Sequence, residues 1–254
     1  MSKRRKKQLN VRAVIGASLA TLMLTLAFLA SNWSQFTGLN LLEDIEVQGA
    51  MIIPADEYRE SLVPILGTPI VDVDTRDMSL LLESHPFVHT ARVSKLYPNR
   101  VIVEIMERDP VALLNMEPIL YIDNEGVVMP DLGDVGEEII PIMSGFNTAR
   151  ELYPIGHQTV SQKVLESVKL IAYIIEYFPH IYDNLSEVTL NSNDEFVLIL
   201  ANYPTKVILG TERFYEKIQI LNSFAETLPE NKGLHHFTIL DLRYNRQIIA
   251  RERV

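Results

Sequence analysis

Residues Ala13 to Ala30 form an eighteen-residue run without a charged side chain, and this run sets the first constraint on the fold. At about 1.5 Å per helical residue it spans about 27 Å, close to the hydrocarbon thickness of a bilayer. Trp33 follows at the depth of a membrane interface. Lys3, Arg4, Arg5, Lys6, Lys7 and Arg12 lie on the N-terminal side, and no acid occurs before Glu43. The positive-inside rule therefore predicts residues 1–12 as a cytoplasmic tail, 13–33 as a transmembrane helix and the rest beyond the membrane. Val14, Ile15, Leu22, Leu24, Phe28 and Trp33 are the expected anchor residues. A cleaved signal peptide is the competing reading. The run exceeds the roughly 7 to 15 apolar residues of a signal core, however, and no A-x-A site closes it. Gly16 and Ala20 make a small-xxx-small pair, a pattern that ordinary lipid-facing small residues also give.

Beyond Arg12 the chain carries 17 basic and 33 acidic residues. A body this acidic is a poor nucleic-acid ligand, because duplex binding is driven by Lys and Arg displacing counterions from phosphates. The chain has no cysteine, which removes disulfides, thiol catalysis and Cys-based zinc sites. At 47% hydrophobic residues it has ample material for packed cores.

Residues 34–42 read as a linker, and Ile45 and Val47 alternate with Glu46 and Gln48 as a short strand. Pro54 fits the first turn of a helix running to about Leu66, which Gly67-Thr68-Pro69 stops. Ile70 to Asp74 reads as extended, and Asp74 is placed to cap a helix that ends near Ser84. Val88 to Leu96 and Val101 to Glu107 then pair as a hairpin around Tyr97-Pro98-Asn99. Residues 43–109 thus form one small β-α-α-β-β module, and 110–254 a second domain.

That second domain opens with a hairpin whose turn is Asp123-Asn124-Glu125-Gly126, glycine standing where positive φ is easiest. Pro130 to Glu138 reads as a surface loop. Val164, Val168, Ile171, Ile175 and Phe178 mark one face of a helix from about Ser161 to Phe178. Leu185–Leu190, Glu195–Leu200 and Lys206–Leu209 suggest a three-stranded meander. Thr211 is placed to cap a helix bearing Phe214, Ile218, Leu221 and Ala225 on one face. Phe237 to Ile249 reads as two extended runs interrupted at Arg243-Tyr244-Asn245-Arg246. The fold class is α+β: a single transmembrane helix, a small β-α-α-β-β domain and a mixed-sheet domain with two helices.

Signatures of catalysis are weak. Asp72, Asp74 and Asp77 lack the glycine and terminal glutamate of a calcium loop and read as helix-capping residues. His85 and His89 have the spacing of a zinc pair, but Pro86 interrupts the helix such a pair needs and no glutamate follows His85. His235-His236 reads as a solvated strand entry, and Ser144-Gly145 as an isolated turn. Glu195, Glu212 and Glu226 could pair as glycosidase acids only in the sense that any acidic domain offers such pairs. The reading is a protein without enzymatic activity, cofactor, metal or small-molecule substrate.

His85-Pro86-Phe87-Val88, Ala91-Arg92-Val93, Tyr97-Pro98-Asn99, Val103-Glu104-Ile105 and Glu107 to Ala112 follow one another in an order and spacing that resemble the POTRA module of the FtsQ/DivIB family of bacterial cell-division proteins. Pro141 to Gly145, Ile208-Leu209-Gly210 and Ile239 to Tyr244 are similar to local motifs of that family's β domain. The resemblance implies a POTRA domain at 43–109, an FtsQ-type β domain at 110–254 and a place in the inner membrane at the division septum. It also implies a scaffold that holds the FtsB-FtsL pair and helps assemble and regulate septal peptidoglycan synthesis, with FtsK, FtsW and FtsI as further partners. A POTRA protein of outer-membrane protein export is the alternative, although neither a barrel nor repeated modules fit after Val111.

The last strand is the expected site. With no later chain to cover it, it forms an edge with free N–H and C=O groups. Its arginines can be read as gatekeepers against aggregation, or the strand can be read as an acceptor of a partner segment, as the resemblance implies. On the second reading Arg243, Tyr244, Asn245, Arg246, Gln247, Ile248 and Arg251 contact the partner. Phe87 and His89 are the candidates in the POTRA module, where core packing of Phe87 and Val88 is the competing role.

Overall fold

The computed structural model describes residues 11–36, 40–131, 140–201, 203–229, 231–245 and 247–253. Residues 1–10 of the expected tail, most of the 130–138 loop and Arg246 lie outside these residues, and Val11 and Arg12 of that tail belong to the first helix. The first helix, α1 (Val11–Phe36), contains the segment Val14–Trp33, long and apolar enough to cross a membrane. Val14, Ile15, Leu22, Leu24, Phe28 and Trp33 are all exposed on it. It runs past the expected end at Trp33 into the predicted linker.

The remaining elements, in order, are β1 (Asp44–Gln48), α2 (Ala55–Leu62), α3 (Thr75–Glu83), β2 (Val88–Leu96), β3 (Arg100–Glu107), β4 (Pro110–Leu114), β5 (Leu120–Asp123), β6 (Val128–Met129) and β7 (Ile142–Ser144). Then come α4 (Gln162–Tyr177), α5 (Pro179–Tyr182), β8 (Leu185–Leu190), β9 (Phe196–Leu200), β10 (Thr205–Gly210), α6 (Phe214–Thr227), β11 (Phe237–Asp241) and β12 (Ile249–Glu252). The chain divides into two compact units. One runs through Leu82 and includes Ala91–Ile105; the other holds Glu83–Thr90 and Met106–Val254.

The first sheet has the order β1-β3-β2, with β1 parallel to β3. Ile45, Tyr58, Leu62, Ile70, Met78, Leu82, Val101 and Val103 are buried in the first unit. Asp74 caps α3 as expected, its Oδ1 accepting the amides of Arg76 at 2.8 Å and Asp77 at 3.2 Å. Two local expectations fail. Pro54 sits at the N-cap rather than inside α2, which ends at Leu62 and continues only as a short 3-10 turn, Val63–Ile65. Ile70 to Asp72 is a turn, closed by Asp72 N–H on Pro69 O at 2.8 Å.

The second sheet has nine strands in the order β12-β11-β10-β9-β8-β7-β4-β5-β6. Its register explains the core. Leu114, Met143, Val188, Leu198, Val207 and Leu240 stand side by side across six strands, all buried against Val164, Val168, Ile171, Ile174, Ile218 and Leu221 of α4 and α6. The neighbouring row, Leu113, Ile142, Glu187, Ile199, Lys206, Ile239 and Arg251, points to the other face and stays half-buried or exposed. A strand alternates faces with period two, so helix cover on one face yields this alternation.

The 185–210 meander and the Gly126 turn (φ +82) are as expected. Ser161, the expected first residue of α4, instead caps it, accepting Val164 N–H. Ser144 is not an isolated turn but the end of β7, paired with Thr189. Thr211 does not cap α6; Arg213, in the left-handed conformation at φ +57, precedes the helix without a side-chain cap. His235-His236 ends a 3-10 turn, Leu234–His236, directly before β11, at the expected strand entry.

Candidate functional site at the sheet edge

The two ends of the nine-stranded sheet differ. At the β6 end the edge is sealed: Val128 N–H donates to His157 O at 3.0 Å, and Gly156 N–H to Val128 O at 2.8 Å. At the other end β12 pairs antiparallel with β11, and all four of its residues are exposed. Arg253 N–H donates to His236 O at 2.8 Å, and the Thr238 hydroxyl donates to Arg251 O at 3.1 Å. Arg251 and Arg253 thus turn their backbone groups toward β11. By the alternation of a strand, the N–H and C=O of Ala250 and Glu252 point away from it, at the free edge.

The expected contact residues divide by what holds them. The structure places Arg243, Tyr244, Asn245, Gln247 and Ile248 between β11 and β12 rather than in the last strand, and among the described residues named only Arg251 lies on the edge strand itself. Tyr244 is about half exposed, and Gln247 is exposed. Ile248 packs partly on the core. Arg246 lies outside the described residues.

Arg243 is tied down within the protein. Its Nη2 donates to Asp241 Oδ2 at 2.6 Å, Nε to Asp241 Oδ1 at 3.0 Å and Nη1 to Glu195 Oε1 at 3.1 Å. Asn245 is held in turn, its Oδ1 accepting both terminal nitrogens of Arg213 at 3.1 and 3.2 Å. Gly210 (φ +78) lets the Arg243 stem lie across the end of β10, since a Cβ there would stand 3.2 Å from Arg243 Cγ. Beside it the buried Lys217 donates to Leu209 O at 2.5 Å, and desolvation pushes its ammonium below the usual lysine range. Arg213 and Lys217 were not singled out from sequence, and Glu195 was weighed only as a glycosidase acid, not as a partner of Arg243. The Asp-Leu-Arg spacing carried a signal, because residues i and i+2 of an extended segment share a face.

The Arg243 guanidinium holds the Asp241 carboxyl below its ordinary range; for Glu195 the Asn191 amide is the larger cause and Arg243 the next. Both acids have depressed folded-state pKa values, so the stability they contribute is present above the ordinary carboxylate range, about pH 4, and is lost as pH falls through the folded values. Arg243→Ala is therefore expected to lower the urea midpoint of the full chain in detergent at pH 7, with the difference from wild type shrinking by pH 3. An equal difference at both pH values would refute this account.

Phe87 and His89 do not join this edge. The Phe87 carbonyl accepts Arg108 N–H, and Arg108 pairs with Asp123 on β5 at 2.6 Å, toward the opposite end of the sheet. Phe87 is 6% exposed, which corrects the expectation of a contact surface there in favour of core packing. His89 is exposed, with Nδ1 3.6 Å from Glu125 Oε2. Of the three acids weighed as glycosidase candidates, Glu195 is engaged by Arg243 and Asn191, and Glu226 accepts from Asn222 at 2.8 Å. Among the described residues no three His, Asp or Glu side chains converge as a metal site.

A family model described as FtsQ/DivIB, C-terminal related, matches residues 109–251, and one described as POTRA domain, FtsQ-type, matches 41–108. The chain is 23% identical over 210 residues to the cell division protein FtsQ of Syntrophotalea carbinolica, covering 83% of this chain and 73% of that one. It is 25% identical to the cell division protein FtsQ of Geotalea daltonii, over 83% and 75% of the two chains. It is also 25% identical to that of Rhodothermus marinus, over 97% and 90%.

Proposed function

The chain belongs to the FtsQ/DivIB family of bacterial cell-division proteins, a family of non-enzymatic scaffolds, and from that premise we propose that it holds the FtsB-FtsL complex at the division septum through β12. The open edge is the observation that carries this reading. Among the described residues no strand lies on the outer side of Ala250 and Glu252, whereas the β6 edge is sealed, and strand addition uses such outward backbone groups for affinity and flanking side chains for selectivity. Tyr244 supplies an exposed aromatic anchor and Arg251 a cation, while Arg243 and Asn245 set the shape of the turn that presents them. The membrane helix keeps the N-terminus in the cytoplasm and the folded units, a POTRA domain at 43–109 and a β domain at 110–254, on the outer side. FtsK, FtsW and FtsI are reached through the same assembly, and capture of FtsB-FtsL helps regulate septal peptidoglycan synthesis. The family match supports this reading over outer-membrane protein export.

The test is binding of the full chain, in lipid nanodiscs, to the FtsB-FtsL complex of the same organism. Tyr244→Ala and Arg251→Glu are each expected to weaken binding about tenfold, or about 1.4 kcal/mol. A folded wild-type chain that does not bind would remove FtsB-FtsL as the partner.

A further inference from the structure

On the helix side of the sheet, next to β12, lies a groove of about 450 Å³. Glu216, Gln219, Ile220, Ser223, Phe224 and Thr227 line it from α6, and Ile248 lines it from the turn before β12. Ile220, Phe224 and Ile248 are each partly buried against the core, so the groove has an apolar floor. The remaining side chains from α6 are polar, giving it a polar rim. An apolar floor inside a polar rim is the setting in which a single buried anchor contributes most to binding.

The strand itself points to the same place. Ala250 stands opposite Leu240 and ends the buried row that reads Leu114, Met143, Val188, Leu198, Val207 and Leu240 across the sheet. Every earlier member of that row is a large apolar side chain; Ala250 is a methyl group, and it is exposed. The core therefore stops one strand short of the edge. In a segment paired to β12, the residue opposite Ala250 lies on the helix side, while those opposite Ile249 and Arg251 lie on the other face.

We propose that this groove is the socket for one large apolar side chain, Leu, Ile or Phe, carried by the segment that adds to β12, and that this segment places an acidic residue opposite Arg251. The acidic position follows from charge: Arg243 is already paired with Asp241 and Glu195, whereas Arg251 is exposed on β12 and makes no ion pair among the described residues, so the position opposite it favours an acid. The inference rests on β12 being an acceptor edge.

The experiment again uses the full chain in nanodiscs, with the FtsB-FtsL complex as probe. Ser223→Trp and Gln219→Trp, both at exposed positions on α6, fill the groove and leave the backbone edge untouched. Each is expected to weaken binding at least tenfold. Alanine replacement of one large apolar residue in the bound FtsB segment should cost the same, with little further loss when combined with Ser223→Trp. If Ala250→Pro abolishes binding while both tryptophan variants bind as wild type, the socket is overturned and strand addition stands. If the wild type does not bind, both are overturned.

Discussion

Ala250→Pro is expected to weaken binding of the FtsB-FtsL complex at least a hundredfold, or about 2.8 kcal/mol, while leaving the fold in place. The Ala250 amide points away from β11, so proline removes no hydrogen bond from the sheet's own ladder. Proline is accepted on an edge strand when its missing N–H faces solvent, and Ile249 before it is already extended, as a residue preceding proline prefers. What proline removes is the outward donor, and its ring occupies the space of an incoming backbone. Ala250→Ser keeps the amide and serves as the control. Binding unchanged in Ala250→Pro would mean that the partner does not pair with this edge, whatever side chains it touches.

Phe196→Ala is expected to cost about 3–5 kcal/mol of stability, a large part of the roughly 5–15 kcal/mol typical of a folded domain. Phe196 is fully buried at the start of β9. Its ring meets Phe214 of α6 edge-on at 4.8 Å between centroids and lies 6.5 Å from Phe146. Truncation leaves a cavity where sheet, helix and loop meet, and neighbouring aromatic rings relax into such a space only in part. Glu195, which holds Arg243, is the preceding residue, so the turn before β12 should loosen as well. Chemical denaturation of the full chain measures the first effect and amide exchange at residues 243–248 the second. A loss below about 1 kcal/mol would show that the site repacks.

Much of the fold was legible because it is written in local periodicity. The charge-free run gave α1, three- and four-residue apolar spacings gave α4 and α6, and runs between Asn, Asp and Pro clusters gave β8, β9 and β10. Strands β4 and β7 were not read. Val111-Ala112-Leu113-Leu114 has no alternation to show, and Ile142–Ser144 is three residues long, yet both sit in the interior of the sheet. Local signals also misled at helix entries. Thr211 looked like a cap, but the chain reaches α6 through Arg213 in the left-handed region, where the backbone turn replaces a side-chain cap.

The candidate site divides in the same way. From sequence alone came the edge strand, its arginines and Tyr244, because a final extended segment rich in charge has an evident reading. Arg243 shows what could not come that way. As a residue type it looked like a partner contact, and only its distances to Asp241 and Glu195 show that it is spent on the protein's own turn. Phe87 is the parallel case, an aromatic residue in a distinctive motif that is buried in place.

The sequence by itself determined the long apolar helix, the two-module order and the charged last strand, since each depends on residues close together in the chain. Tertiary structure decided the order of strands, the sealing of β6, the outward direction of the Ala250 amide and the groove beside α6. Each of these depends on which distant segments become neighbours, and hydrophobic burial, being non-directional, leaves that choice to packing and backbone pairing across the whole sheet.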